Sequence, residues 1–161
     1  MGKVASKRAL RIGVLVALGA AVGWWLAHPR PSDEELIAEL VARAEHGVET
    51  KSVDEIMSCV SRDYEGQGDW SREDVWRVAM QWARSSEQAE VAIQDAQVRV
   101  EKGRAVGHFQ VDVTLLDERR RRPTTLFLTV DFERERQGLR KVWLVRSVQG
   151  FDPDMYIEEF L

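Results

Sequence analysis

The sequence of 161 residues is long enough for one domain, and its 44% hydrophobic and 31% charged residues are typical of a globular core. Five of the 23 basic residues and none of the 27 acidic ones precede residue 31, so residues 31–161 hold nine more acidic than basic residues. This excess repels a phosphate backbone and excludes nucleic acid as an expected partner. A single cysteine, Cys59, excludes an intrachain disulfide and a cysteine-based metal site.

Residues 12–27 are a run of sixteen residues without a charge, between a basic segment at residues 1–11 and a prolyl linker at residues 28–32. As a helix this run spans about 24 Å, close to the ~30 Å of a hydrocarbon core. Because the basic segment precedes it, the positive-inside rule places the N-terminus in the cytoplasm and the following domain outside. We therefore expect a single-pass protein of a bacterial inner membrane, which contacts the lipid bilayer through residues 12–27.

A cleaved signal peptide is the alternative interpretation of the same segment. Residues 21–23, Ala-Val-Gly, offer a small-x-small cleavage site after a short apolar stretch. Cleavage there would release a secreted or periplasmic domain. The mature chain would then begin with Trp24 and Trp25, which suit an aromatic belt at the end of an uncleaved anchor better than a new terminus.

Three helices are predicted after the linker, each opened by a serine with an acid three residues later, the pattern of a capping box. The three pairs are Ser32 with Glu35, Ser52 with Glu55, and Ser71 with Asp74. In the first helix the apolar residues recur at helical spacing, and Gly47 is the expected stop. The third carries so broad an apolar stripe that we expect it to be largely buried. Its apolar residues are Val75, Trp76, Val78, Ala79, Met80, Trp82 and Ala83.

The second half of the sequence predicts an antiparallel meander. Residues 104–116 alternate between apolar and polar side chains, the period of a strand with one buried and one wet face. The inner face is predicted to hold Phe109, Val111, Val113 and Leu115, and the outer face His108, Gln110, Asp112 and Thr114. Residues 125–133 repeat the pattern, with Leu126, Leu128, Val130 and Phe132 on the inner face.

The strand before residue 104 changes phase along its length. Val91 and Ile93 point one way, whereas Val98 and Val100 point the other. This change predicts a bulge at residues 95–97 that bends the strand. Upstream of the third helix, a short strand is expected around Tyr64.

The remaining segments are a hairpin, a final strand and an apolar tail. Residues 117–123 are the expected hairpin connection, and its four arginines, residues 119–122, predict a solvated tip or a contact with an acidic partner or anionic head groups. Residues 140–150 are apolar on both faces, which predicts a strand that is central or covered on both sides. Residues 151–161 are too apolar to remain exposed to solvent, so we expect them to fold over the domain or to contact a partner.

Three helices followed by a bent antiparallel meander resemble the nuclear-transport-factor-2-like superfamily, which includes SnoaL-like and ketosteroid-isomerase-like domains. The resemblance covers residues 33–151 and rests on residues 34–60, on Ser-Arg-Asp-Tyr at residues 61–64, and on Lys-Val-Trp-Leu-Val at residues 141–145. It implies an α+β domain at residues 33–161, with three N-terminal helices packed on a strongly curved, cone-shaped sheet. The cone of this family often holds a pocket, and the lining expected here is Tyr64, Trp76, Met80, Phe109, Val111 and Leu128.

The inner faces of the predicted strands argue against catalysis. An isomerase of this family uses an inward carboxylate as its base, yet the inward positions of these strands carry no ionisable residue. An enzyme would have to use Asp63, Tyr64 or Cys59, near the loop into the third helix. No set of three or four histidines and acids has ligand spacing. We assign no catalytic residue, no metal site and no cofactor.

The expected function is that of a non-enzymatic, membrane-anchored, extracytoplasmic module. It binds a small apolar ligand in the cone, or it contacts a second copy or another protein through the face of its sheet. A SnoaL-like or ketosteroid-isomerase-like enzyme is one alternative, and an assembly component of an inner-membrane secretion complex is another. An inward carboxylate in a closed cavity would favour the enzyme, and a filled cone with an exposed apolar sheet face would favour assembly.

The charge asymmetry around residues 12–27 makes a testable prediction of topology. A fusion of alkaline phosphatase after residue 161 should be active, and a green fluorescent protein fusion at the same position should be dark, because only the former folds outside the cytoplasm. The opposite pair of results contradicts the predicted orientation. Loss of the protein from the membrane fraction, in a form that begins at Trp24, would favour the signal peptide.

Overall fold

The computed structural model describes residues 31–117, 120–138 and 140–150. Three α-helices precede four strands: α1 Asp33–Glu49, α2 Val53–Ser58, α3 Arg72–Arg84, β1 Gln88–Glu101, β2 Arg104–Asp117, β3 Arg120–Gln137 and β4 Arg140–Gln149. The strands form one antiparallel sheet in the order β1-β2-β3-β4. The predicted α+β class and the order of its elements are confirmed.

Local hydrogen bonds at the predicted serines explain where the helices begin. The Ser71 amide donates to the Asp74 carboxylate at 2.9 Å, and the Asp74 amide donates back to the Ser71 hydroxyl at 3.4 Å, which completes the capping box of α3. Ser52 caps α2 by accepting from the Glu55 amide at 3.4 Å. α1 begins directly after Ser32.

Gly47 does not end α1, which continues to Glu49. The prediction of a stop there was wrong, because this glycine serves a packing role. A Cβ atom on Gly47 would lie 3.1 Å from Cγ1 of Ile56, so the missing side chain allows α2 to approach α1 closely.

The core forms where α1 crosses the inner face of the sheet. Ile37 and Leu40 of α1 are almost fully buried against that face. Phe109 and Phe132 meet edge to face on adjacent strands, with ring centroids 6.1 Å apart. The buried cluster consists of Ile37, Leu40, Cys59, Ala105, Phe109, Val111, Val130, Phe132 and Trp143. Burial of each large apolar side chain contributes roughly 1.5–3 kcal/mol.

A polar contact fastens the first turn of α1 to the sheet. Asp33 Oδ1 accepts a hydrogen bond from the Trp143 indole at 3.1 Å and pairs with Arg134 at 3.2 Å. The Arg134 guanidinium also lies over the Trp143 ring, 5.9 Å from its centroid. One carboxylate at the start of α1 therefore links the helix to both β3 and β4.

The predicted bulge in β1 exists, but it lies slightly earlier in the strand and has a different consequence. The register with β2 shifts between Ile93 and Asp95, so Gln94 is the extra residue. Because this insertion reverses the alternation, Val98 and Val100 return to the face of Val91 and Ile93, and all four pack against the core cluster. The prediction that the two pairs point in opposite directions was wrong.

The free edge of β4 is covered by the segment that follows α2. The Ser61 amide donates to the Val145 carbonyl at 2.9 Å, and the Val145 amide donates to the Cys59 carbonyl at 2.8 Å. In place of the predicted strand around Tyr64, this segment makes isolated bridges. Trp143 and Leu144, on opposite faces of β4, are both buried, as expected of a strand covered on both sides.

The hairpin between β2 and β3 is shorter than predicted. β3 begins at Arg120, and Pro123 pairs with Thr114 inside the ladder rather than in a loop. Proline is tolerated there because β4 pairs with β3 only from Thr129 onward, so the missing N–H removes no ladder bond on that side.

The third helix is less buried than its composition predicted. Of the thirteen described residues of α3, only Ala79 is buried, and Trp76 is 47% exposed. The helix packs on α2 and contributes no described residue to the core cluster of α1 and the sheet. Among the described residues, no helix is long and apolar enough to cross a membrane; residues 12–27 lie outside that part of the chain.

The alternation in β2 makes a paired prediction about stability. Val111→Asp places an unpaired carboxylate against the core and should destabilise the domain by several kcal/mol, a large part of its total stability. Asp112→Val removes one exposed hydrogen bond from Thr125 and should be nearly neutral. Urea unfolding of the two variants measures both effects. Equal tolerance of the two changes would contradict the assignment of the faces.

Candidate functional site

The interior of the cone is occupied by side chains of the domain itself. The register pairs Phe109 with Leu128 and places Val111 beside them, so three of the expected lining residues lie together. Ile37 and Leu40 of α1 fill the space against them. At this level the inner face of the sheet is a packed core rather than a hollow site.

The other three expected lining residues lie outside that core. Trp76 and Met80 are on α3, which meets α2, and Met80 is half-buried. Tyr64 is half-buried beside Gly66, where a Cβ atom would lie 3.0 Å from its ring. Burial raises the pKa of the Tyr64 hydroxyl, which keeps this group protonated and neutral.

The candidate catalytic residues lack the environment of reactive groups. The Cys59 thiol is buried and donates to the carbonyls of Glu55 and Leu40, at 3.3 and 3.7 Å. Burial raises its pKa, so the nucleophilic thiolate is disfavoured. Asp63 is exposed to solvent. The three residues therefore provide no activated nucleophile or buried base.

A charged cluster beside β4 was missed by the sequence reasoning. Arg146 pairs with Glu65 at 3.3 Å and with Glu133 at 3.6 Å, and Ser61, which is fully buried, hydrogen-bonds Glu135. These contacts depend on a register shift between Asp131 and Phe132, and no local pattern in the sequence indicates it. These contacts fasten the segment after α2 to the sheet, and Nη1 of Arg146 is buried there without a hydrogen-bond partner.

Polar side chains cover much of the outer face of the sheet, and two large hydrophobic side chains are exposed among them. Its polar side chains bond to one another across the strands: His108 with Thr129 at 3.1 Å, Asp112 with Thr125 at 2.6 Å, and Asp131 with Ser147 at 2.6 Å. Phe127 is 70% exposed on this face and Val106 is 39% exposed. Phe127 is an apolar residue between Leu126 and Leu128, where the alternation of β3 calls for a polar side chain. This interruption was the signal in the sequence for an exposed aromatic residue.

A shallow cleft lies where β4 meets the turn before α3. It has a volume of about 370 Å³ and is lined by Glu65, Gly66, Gln67, Gln149 and Gly150. The Gly150 amide donates to the Gln67 side-chain oxygen at 3.0 Å across it. Within the described residues, no group of three or more His, Cys, Asp or Glu side chains could hold a metal ion.

Solved structures with the same architecture define the fold. Aln2 from a Streptomyces species superposes with a TM-score of 0.62 at 16% identity, covering 81% of this chain and 99% of that one. An NTF2-like protein of unknown function in nutrient uptake from Rhodospirillum rubrum gives 0.55 at 13% identity, covering 70% and 93%. The chain therefore has the nuclear-transport-factor-2-like fold.

A third structural relative is a provisionally assigned calcium/calmodulin-dependent protein kinase II association domain from Xanthomonas campestris. Its TM-score is 0.58 at 18% identity, and the match covers 76% of this chain and 89% of that chain. No family model and no curated protein matches the sequence. At these low identities the comparisons define the fold only, so the function has to be inferred from the residues of the site.

The environment of Cys59 predicts slow thiol chemistry in the folded protein. Alkylation by iodoacetamide should be about a hundredfold slower in the native protein than in urea, because the thiol is buried and its pKa is raised. The protonated thiol stabilises the fold below the unfolded pKa, near 9.0, and this contribution is lost as the pH rises above that value. A native alkylation profile with its midpoint at or below that of the denatured protein would contradict this assignment.

Proposed function

We propose that the chain is a membrane-anchored, extracytoplasmic scaffold module whose outer sheet face associates with a second copy. The observation that carries the proposal is the exposure of Phe127, 70% in solvent, on a sheet whose inner face is filled. An exposed aromatic ring on a polar surface is the kind of residue that anchors protein interfaces. A face that meets itself about a two-fold axis needs only one such anchor per subunit.

The near absence of buried polar side chains among the described residues favours a scaffold over an enzyme. Among the described residues, Ser61 is the only buried polar side chain, whereas the family's isomerase chemistry needs a carboxylate inside the cone. The acids of β2 and β3, among them Asp112 and Asp131, lie on the outer face in hydrogen bonds with Thr125 and Ser147. The SnoaL-like and isomerase-like alternatives therefore have no described residue in the required place.

The expected anchor at residues 12–27 strengthens the same proposal. Two copies held in one membrane meet at a high effective concentration, so a small interface suffices for association. The Xanthomonas protein, with its assignment as an association domain, illustrates an assembly role for this fold. For the present chain we infer the function from its own exposed residues. The proposed module uses no cofactor and binds no nucleic acid.

Binding of a small apolar ligand is the second candidate function. It is favoured by the exposed side of α3, where Trp76 and Met80 present apolar surface that the described core does not cover. The ligand would lie against this exposed side of α3 rather than at the filled level of Phe109. Native mass spectrometry of the full chain distinguishes the two functions, because it reports bound mass and oligomeric state together.

A single added charge tests the proposed interface. In sedimentation measurements on the full chain in detergent, the parent protein should be dimeric and Phe127→Glu should be monomeric, because the new carboxylate would be buried without a partner. Gln137→Glu is the matched control, since it adds the same charge at an exposed position of the same strand. A monomeric parent protein, or equal dimerisation of the two variants, rules out association through this face.

A further inference from the structure

The hairpin of β3 and β4 projects beyond the rest of the sheet. The pairing of β2 with β3 ends at Glu133, whereas β3 and β4 remain paired as far as Gln137 and Arg140. Residues 134–141 therefore form a two-stranded arm. Its tip lies about 10 Å beyond the end of β2, from the rise of each residue along a strand.

The arm is strongly basic. It holds one acid, Glu135, and four basic residues, namely Arg134, Arg136, Arg140 and Lys141. The register places Arg136 directly opposite Lys141, where two like charges repel each other. Arg136, Arg140 and Lys141 are exposed, and none of them forms an ion pair with a described residue. Nε of Arg136 donates to the Gly138 carbonyl at 3.1 Å, within the arm itself. The arm therefore carries positive charge that the described domain does not neutralise.

Acids at the base of the arm have partners within the domain. Asp33 pairs with Arg134 at 3.2 Å, and Ser61 donates a hydrogen bond to Glu135. Glu34, the exposed acid that follows Asp33 on α1, lies at the base and not at the tip. Exposed charges are screened over ~8–10 Å at physiological salt, so acids elsewhere in the domain act weakly on the tip. A surface that approaches the tip therefore meets positive charge, although the domain as a whole is acidic.

The chain enters the domain at the base of the same arm. Asp33, the first residue of α1, bonds to both Arg134 and Trp143. In the anchored protein proposed above, the chain reaches the domain from the bilayer at this base. The arginine run of the sequence lies at the opposite end of β3, where Arg121 pairs with Glu90 at 3.8 Å.

We propose that residues 134–141 are a lipid-binding arm, whose basic side chains contact the phosphate groups of an anionic bilayer. The choice of lipid as the partner rests on the proposed membrane anchor, whereas the charge of the arm does not. The guanidinium groups of Arg136 and Arg140 match the geometry of phosphate oxygens, and Lys141 adds a compact charge. Each basic residue that reaches an anionic surface adds to the affinity, and salt weakens the contact.

This contact determines how the domain is oriented on the membrane. Because the arm continues the direction of β3 and β4, its contact with lipid stands the strands upright on the bilayer. The faces of the sheet then point along the plane of the membrane. The outer face, with Phe127, is thereby presented to a second copy in the same bilayer.

Fluorescence quenching in lipid nanodiscs tests the contact. The full chain carries Gln137→Cys, labelled with an environment-sensitive dye, in discs of phosphatidylcholine and in discs that also contain phosphatidylglycerol. Acrylamide should quench the dye at least about threefold less in the anionic discs, because the arm lies among the head groups there. A dye on Gln88→Cys, at the opposite end of the sheet, is the matched control and should be quenched equally in both lipids. Cys59 is buried, and the parent chain treated alongside reports any labelling of it.

Charge reversal identifies the residues that make the contact. Arg140→Glu combined with Lys141→Glu should abolish the difference between the two lipids. Arg43→Glu combined with Arg84→Glu makes the same change of charge at exposed helical positions and should leave the difference intact. Salt at about 0.5 M should abolish it in the chain without these reversals, which excludes misfolding as the cause. Equal quenching at Gln137 in the two lipids, or a lipid effect that survives reversal of the arm, overturns the proposal.

Failure of the membrane anchor gives a different result. A chain that does not enter the discs contradicts the proposed anchor, and the same labelled chain is then mixed with phosphatidylglycerol vesicles. Reduced quenching at Gln137 on these vesicles supports the lipid-binding arm without the anchor. Unchanged quenching there overturns it.

Discussion

The packing of α1 into the sheet is the interaction on which the rest of the structure depends. Ile37 and Leu40 occupy the concave face at the level of Phe109 and Phe132, so the helix and three strands share one buried cluster. Removing any of these side chains would leave a cavity that the others cannot fill, because each already packs against its neighbours. Asp33, bonded to Arg134 and Trp143, determines where along the sheet the helix begins.

The curvature needed for this packing comes from irregular pairing. Gln94 is inserted in β1, and a second register shift in the β3–β4 pair occurs between Asp131 and Phe132. Each insertion bends its strand and returns the apolar side chains to the concave face. The segment after α2 completes the arrangement by bonding the open edge of β4 at Val145, so β4 can be buried on both sides although it is last in the sheet.

The sequence predicted the features that depend on neighbours within a few residues. The serine caps of α2 and α3 and the faces of β2 follow from spacings of two to four residues, and the structure has them. The burial of α3 did not follow, since a helix with an apolar stripe is buried only if another element reaches it. The ion pairs of Arg146 with Glu65 and Glu133 could likewise not be predicted from the sequence, because they join segments far apart in the chain through a shifted register.

Two surfaces of the domain meet at Gly150. This residue has φ of +89°, and a Cβ atom on it would collide with the carbonyl oxygen of Phe127, so glycine is required where the chain turns away from the sheet. Phe127 marks the outer sheet face, and Gln67, bonded to the same glycine, marks the approach to α3. One glycine therefore joins the outer sheet face to the turn before α3.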